Sequence, residues 1–168
     1  MPEVQQEAPA KRVADSTVVM TEHVLPNDTN PRGTMFGGKV LQLMDIAGAC
    51  SAIRHCRKSI VTAAMDQVAF LAPIHVNDIV EFRARVVWVG RCSMEVEVDV
   101  YAEAPYTGER RHATSALMTF VAMGEDGKKS PVPRLILETE EEKRMNKLAE
   151  KRRAMLLETR KLAADLGT

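Results

Sequence analysis

The chain has 168 residues, with 23 Lys plus Arg against 23 Asp plus Glu, and 45% of it is hydrophobic. That composition describes a globular protein with one sizeable core and excludes a disordered chain. A formal net charge of zero argues against a broad nucleic-acid face and puts little long-range repulsion in the way of self-association.

In chain order, residues 1–14 read as a loose tail, with Glu3 and Glu7 and no apolar run, so neither a secretory nor a transit signal. Residues 17–25 (TVVMTEHVL) are rich in β-branched side chains and predict a strand. Residues 26–33 (PNDTNPRG) are dense in turn formers and predict a loop. A helix is predicted over 39–55, with apolar residues around nearly the whole circumference. Such a helix is expected to be buried. It spans roughly 25 Å at 1.5 Å per residue, the width of a small domain.

Something must surround that helix, and the next segments supply it. Strands are predicted over 59–71, 79–89, 94–101 and 111–123. Val80, Phe82, Ala84 and Val86 share one face, as do Met94, Val96, Val98 and Val100. Gly90-Arg91 and the YTGE of residues 106–109 break the runs as short turns. Short connections imply antiparallel pairing. The expected fold is therefore α+β, a long central helix wrapped by a curved antiparallel sheet.

Residues 138–168 predict a charged C-terminal helix. Thr139 and Glu142 have the spacing of a capping box. Met145, Leu148, Met155, Leu162 and Leu166 form a roughly heptad stripe interrupted by Arg152 and Thr159. The stripe suits packing on the chain's own domain or on a partner subunit.

Several residues are suited to chemistry. Asp45 is the one ionisable side chain between residues 40 and 53 of the expected buried helix. A buried carboxylate needs hydrogen bonds, an opposite charge or an altered pKa, so Asp45 is a satisfied buried acid, an acid at a polar edge of the helix, or a functional one. Asp66, in an otherwise apolar strand, suits an edge or lining position. Gly37-Gly38 opens the helix, where a backbone without Cβ atoms and free N–H groups can hold an oxyanion. Asn30 can orient a carbonyl or water, or simply brace its turn. Arg91 and Ser93 can bind a phosphate, or belong to an ordinary hairpin. His23, His55, His75 and His112 have no metal-ligand spacing, and no metal is expected. Cys50, Cys56 and Cys92 read as free thiols of a reducing compartment.

The run NDTNPRGTMFGGKVLQLMDIAG (residues 27–48) resembles the signature of hotdog-fold acyl-CoA thioesterases. RHC (54–56), VTAAMDQVAF (61–70), VGRCSM (89–94), TFVA (119–122) and VPR (132–134) continue the resemblance in order. Within that family the chain is similar to the cytosolic long-chain acyl-CoA hydrolases, including their single-domain bacterial members.

The resemblance implies a hotdog domain over residues 15–137 and a homodimer as minimum, with assembly into a hexamer, a trimer of dimers. It implies hydrolysis of fatty acyl-CoA to free fatty acid and CoA. No cofactor is implied beyond the coenzyme A of substrate and product. Asn30 and Asp45 would meet from opposing subunits, with Asp45 as general base or nucleophile. Gly38 would hold the oxyanion beside Gly37, Thr62 would line the same site, and Arg91 and Ser93 would hold the CoA portion. Some relatives carry His before the glycine pair; Phe36 stands there in this chain. A cytoplasmic enzyme without nucleic-acid binding or membrane insertion is expected. The alternatives are a non-catalytic acyl-CoA sensor and a hotdog enoyl-CoA hydratase.

Overall fold

Val40, Leu43, Met44, Ala47, Gly48, Ser51, Ala52, His55 and Cys56 recur every three or four residues, so one broad face of helix α2 (Gly37–Cys56) is out of water. The computed structural model describes residues 9–166. Around α2 it places strands β2 (Val18–His23), β3 (Ser59–Phe70), β4 (Ile79–Val89), β5 (Ser93–Glu103) and β6 (Arg110–Met123). They form one antiparallel sheet in the order β2-β4-β5-β6-β3. This is the hotdog fold, in which the sheet curves round the helix.

Strand alternation fixes what faces α2. Val80, Phe82, Ala84 and Val86 on β4 are fully buried, as are Met94, Val96, Val98, Val100 and Ala102 on β5. Their partners Met118 and Phe120 on β6, with Ala122 on the same face, complete the inner face. Helix and sheet approach closely at Gly48: a Cβ there would lie 3.1 Å from the Phe120 ring and 3.2 Å from Met118 Sδ. Both neighbours are fully buried. Gly48→Val should therefore destabilise the fold by about 1–3 kcal/mol through overpacking. A denaturant midpoint equal to that of the unaltered chain would refute this close contact.

Burial of the central helix is less complete than its composition predicts. Gly38, Gln42, Ile46, Cys50 and Ile53 form an exposed stripe along α2, with Ile46 44% and Ile53 43% exposed. The stripe lies beside β3, an edge strand with one sheet neighbour. Val61, Phe70 and Leu71 at that edge are also exposed. An apolar, unpaired edge of this kind calls for a covering surface.

Order begins earlier than the expected tail allows. Residues 11–14 are not loose: strand β1 (Lys11–Arg12) pairs in parallel with β7 (Leu135–Ile136) and leads into the single helical turn α1 (Val13–Ser16). The pairing is between segments far apart in sequence, so no local signal announces it. Residues 1–8 of that tail lie outside the described residues.

The C-terminal half is pinned to the end of α2. Lys58 Nζ donates to Ser130 Oγ and to the Pro131 carbonyl, both at 2.7 Å. His55 Nε2 lies 3.0 Å from the Pro133 carbonyl, inside the core, while Nδ1 has no partner among the described residues. Burial pushes the His55 pKa down, against the smaller opposing effect of the Pro133 hydrogen bond. The unfolded chain therefore takes up this proton first as pH falls. Stability attached to neutral His55 is complete above about pH 6.5 and is lost below it. His55→Gln should flatten the fall in denaturant midpoint between pH 7.5 and 5.5; an unchanged slope would exclude His55 as its source.

Helix α3 (Glu140–Leu166) starts with the expected capping box. Thr139 Oγ1 accepts from Glu142 N at 3.1 Å, and Glu142 Oε2 accepts from Thr139 N at 3.1 Å. Its first half lies on the outer face of the chain's own sheet. Met145 and Ala149 bury against Val87 and Leu117, with Trp88 and Leu148 beside them. A bulge between Val86 and Trp88 frees the Val87 carbonyl, which accepts from Asn146 Nδ2 at 2.8 Å. The side chains of Leu162 and Leu166 lie outside the described residues.

Candidate active site

The loop before α2 is built around Asn30. Its Oδ1 accepts from the Arg32 N–H at 2.9 Å, and its Nδ2 donates to Thr34 Oγ1 at 2.9 Å. These bonds brace the turn and leave one amide N–H available. Gly33 sits at φ +73°, a left-handed turn position. The loop returns to the helix through Phe36 N–H donating to the Asp28 carbonyl at 2.8 Å.

Phe36 is the residue at which α2 begins, and its side chain makes no cap. The Lys39 and Val40 N–H groups both donate to the Phe36 carbonyl. The N–H groups of Gly37 and Gly38 are left without an intrahelical acceptor, at the positive end of a 20-residue helix dipole. A Cβ on Gly38 would meet the Phe36 ring at 2.5 Å, and a Cβ on Gly37 would meet the Phe70 ring at 3.4 Å. Gly37 also lines an apolar groove of about 370 Å³ with Met35, Val40, Phe70, Leu71 and Ile74.

Of the settings open to Asp45, the structure shows the partly exposed side of α2 and not the core. The polar edge of the helix, and not burial, accommodates the charge. Thr62 Oγ1 donates to Asp45 Oδ1 at 2.9 Å. The register of β3 against β6 shifts between Thr62 and Ala64, so a bulge follows Thr62. Bulges re-aim side chains at sheet edges and beside functional sites.

Asp45 and Thr62 are thus brought together within one chain. Asp45 and the Gly38 N–H are not: seven residues of helix separate them by roughly 10 Å along the axis. A carbonyl held at Gly37 and Gly38 is beyond hydrogen-bond reach of a water on the same chain's Asp45.

Arg91 is exposed on the turn between β4 and β5. Ser93 lines a cleft of about 290 Å³ on the outer face of the sheet, together with Asp66, Glu95, Thr119, Lys129 and Arg153. Arg153 comes from α3, and its guanidinium lies 4.5 Å from the centroid of the Trp88 ring. Glu95 is 5% exposed, and its Oε2 has no hydrogen-bond partner among the described residues. Burial pushes its carboxyl pKa up, with Arg153 and Arg152 pulling the other way. Alternation along β5 put Glu95 on the polar face, and nothing local showed that α3 covers it.

Among the described residues no three His, Cys, Asp or Glu side chains gather as a metal site. No described helix is long and apolar enough to cross a membrane.

A partly exposed acid held by a threonine thus shares one sheet-wrapped helix with an uncapped glycine start. The profile of the Thioesterase superfamily matches residues 32–109. An uncharacterized acyl-CoA thioester hydrolase, YkhA of Bacillus subtilis, is 50% identical over 128 residues, spanning 76% of this chain and 74% of that protein. The chain belongs to the thioesterase superfamily, among the acyl-CoA thioester hydrolases.

Solved structures are similar throughout. An apo-hexameric acyl-CoA thioesterase superposes with a TM-score of 0.86 at 42% identity, covering 93% of this chain and 97% of that one. The acyl-CoA hydrolase of Staphylococcus aureus in complex with butyryl coenzyme A and coenzyme A gives 0.83 at 33% identity, covering 95% and 100%. Alanine variants of the S. aureus enzyme have been made at an asparagine, an aspartate and a threonine. Those three stand 15 and 17 positions apart, the same spacing as Asn30, Asp45 and Thr62 here.

Proposed function

We propose that the chain hydrolyses fatty acyl-CoA to the free acid and CoA, in a site shared by two subunits. The observation that carries this reading is the Asp45–Thr62 pair on an exposed helix edge, out of reach of its own helix start. In a two-fold dimer each chain offers its acid to the glycine pair of the other. The exposed apolar stripe on α2 and the free β3 edge are the surfaces such a dimer would cover. Assembly of three dimers into a hexamer is in keeping with the hexameric relative.

The thioester carbonyl oxygen binds the Gly37 and Gly38 N–H groups, and the acyl chain enters the apolar groove beside Gly37. Asn30 orients the carbonyl or the water with its remaining N–H. Asp45 of the partner subunit takes a proton from water. Thr62 occupies one carboxylate oxygen, leaving the other for this water. Hydroxide adds to the carbonyl carbon and charge builds on the carbonyl oxygen, where the helix start stabilises it. The C–S bond then breaks, and the CoA thiolate leaves with the proton that Asp45 held. Ser93 and Arg91 hold the CoA portion, and no cofactor takes part. A soluble, cytoplasmic enzyme fits the substrate.

The test is release of free thiol from a panel of acyl-CoA chain lengths by the full-length chain. Thiol release from at least one length is expected. Binding without release would make the protein a sensor, and hydration of an enoyl-CoA without release would make it a hydratase.

A further inference from the structure

We infer that Gln42 lies on the two-fold axis of the dimer, where its side-chain amide pairs with Gln42 of the partner subunit. The pair sets the register that brings each Asp45 to the glycine pair of the other chain. This rests on the shared-site reading, from which the place of Gln42 follows by symmetry.

Gly38, Gln42 and Asp45 follow one another at spacings of four and three residues, so they stand on one side of α2. A two-fold operation that sets Asp45 against Gly38 of the partner subunit also sets Gly38 against Asp45 of the partner subunit. Helix segments that face each other in this way run antiparallel, and the axis passes midway between the two residues. That midpoint falls between Leu41 and Gln42. Leu41 packs against the chain's own core, whereas Gln42 is exposed. Gln42 is therefore the side chain presented at the axis.

A residue on a two-fold axis meets its own copy and must complement itself. A carboxylate or an ammonium repels its copy, whereas an amide offers both N–H and C=O and can exchange two hydrogen bonds. The Gln42 amide makes no hydrogen bond among the described residues, so both groups are open to the partner. Further along the exposed stripe stand Ile46, Cys50 and Ile53. Apolar side chains hold two helices together but let one slide along the other, and a single polar pair in such a seam fixes the register. A slip of one helical turn would carry Asp45 about 5.4 Å along the helix. That takes the water it activates out of reach of the carbonyl. Gln42 is thus a positioning residue that acts through Asp45.

The test reads self-contact at residue 42 in the full-length chain. The background carries Cys50→Ser and Cys92→Ser, which removes the two cysteines that are not buried. Gln42→Cys in that background should give a covalent dimer with a short bismaleimide, because its two copies stand about 1.5 Å apart along the helix direction. Ile53→Cys should not, because its copies stand roughly 35 Å apart along the same direction. No link at residue 42, or an equal yield at residue 53, overturns the inference. A charge swap supplies the functional readout. Gln42→Lys and Gln42→Glu should each lower kcat about tenfold with KM unchanged, since like charges then meet on the axis. An equal mixture of the two, after subunit exchange, should recover kcat to within about twofold, because opposite charges face each other. A residue acting only within its own helix would give the mixture the mean of the two variants, and that result also overturns the inference. Cross-linking needs no turnover, so the two readings separate. If no thiol is released but residue 42 links, the hydrolase reading fails and the axis stands. If thiol is released and residue 42 does not link, the axis fails and the hydrolase stands.

Discussion

Asp45→Ala is expected to lower kcat on acyl-CoA by on the order of 10²–10⁴-fold, the usual contribution of a positioned general base. The fold should survive. Asp45 is partly exposed and has a single side-chain bond, to Thr62, so its loss opens no core cavity and strands no buried charge. Thr62→Ala should cost less than Asp45→Ala, because it removes the support and keeps the base. The measurement is kcat by thiol release together with the oligomeric state by light scattering. An Asp45→Ala protein that turns over at the unaltered rate would end the mechanism.

The second large effect is a gain. Asn30→Ala and Asp45→Ala homodimers should each be nearly inactive, and an equal mixture unfolded and refolded together should recover about a quarter of the unaltered rate. Half of the randomly formed dimers pair one variant with the other. In each of these, one site joins an intact loop to an intact acid and the second site has neither. A site built within one chain would recover nothing. The roughly 10 Å of helix between Gly38 and Asp45 is the physical reason to expect recovery. Mixtures that stay inactive after subunit exchange is demonstrated would place Asn30 and Asp45 in the same chain's site.

The sheet was legible because its signal is local. Val80 to Val86 and Met94 to Val100 alternate, and every inward residue in those two runs is fully buried. The capping box of α3 was legible for the same reason, since both partners lie within four residues. Reading α2 as apolar all round found the right residues but an incomplete environment. Its circumference has two kinds of neighbour, the sheet on one side and an open stripe on the other, and composition cannot separate them. The pairing of Lys11–Arg12 with Leu135–Ile136 and the burial of Glu95 under α3 both depend on segments distant in sequence. Asp45 was singled out because it is an isolated charge in an apolar run. Its bond to Thr62 carries no sequence signal of its own, and the resemblance supplied only the expectation that Thr62 lines the same site.

The sheet order has a consequence for how the molecule comes into being. Strand β3 emerges early during synthesis, yet its sheet neighbour is β6, and Thr62 pairs with Phe120. Until β6 has left the ribosome, β3 has no sheet neighbour and α2 lacks the wall that Met118 and Phe120 provide. Long-range strand pairing of this kind is slow because the intervening loop must close first. The edge that carries Thr62 is therefore among the last parts of the sheet to form. In the proposed dimer, subunit pairing across that edge can only follow, so a partly made chain would hold no reactive site.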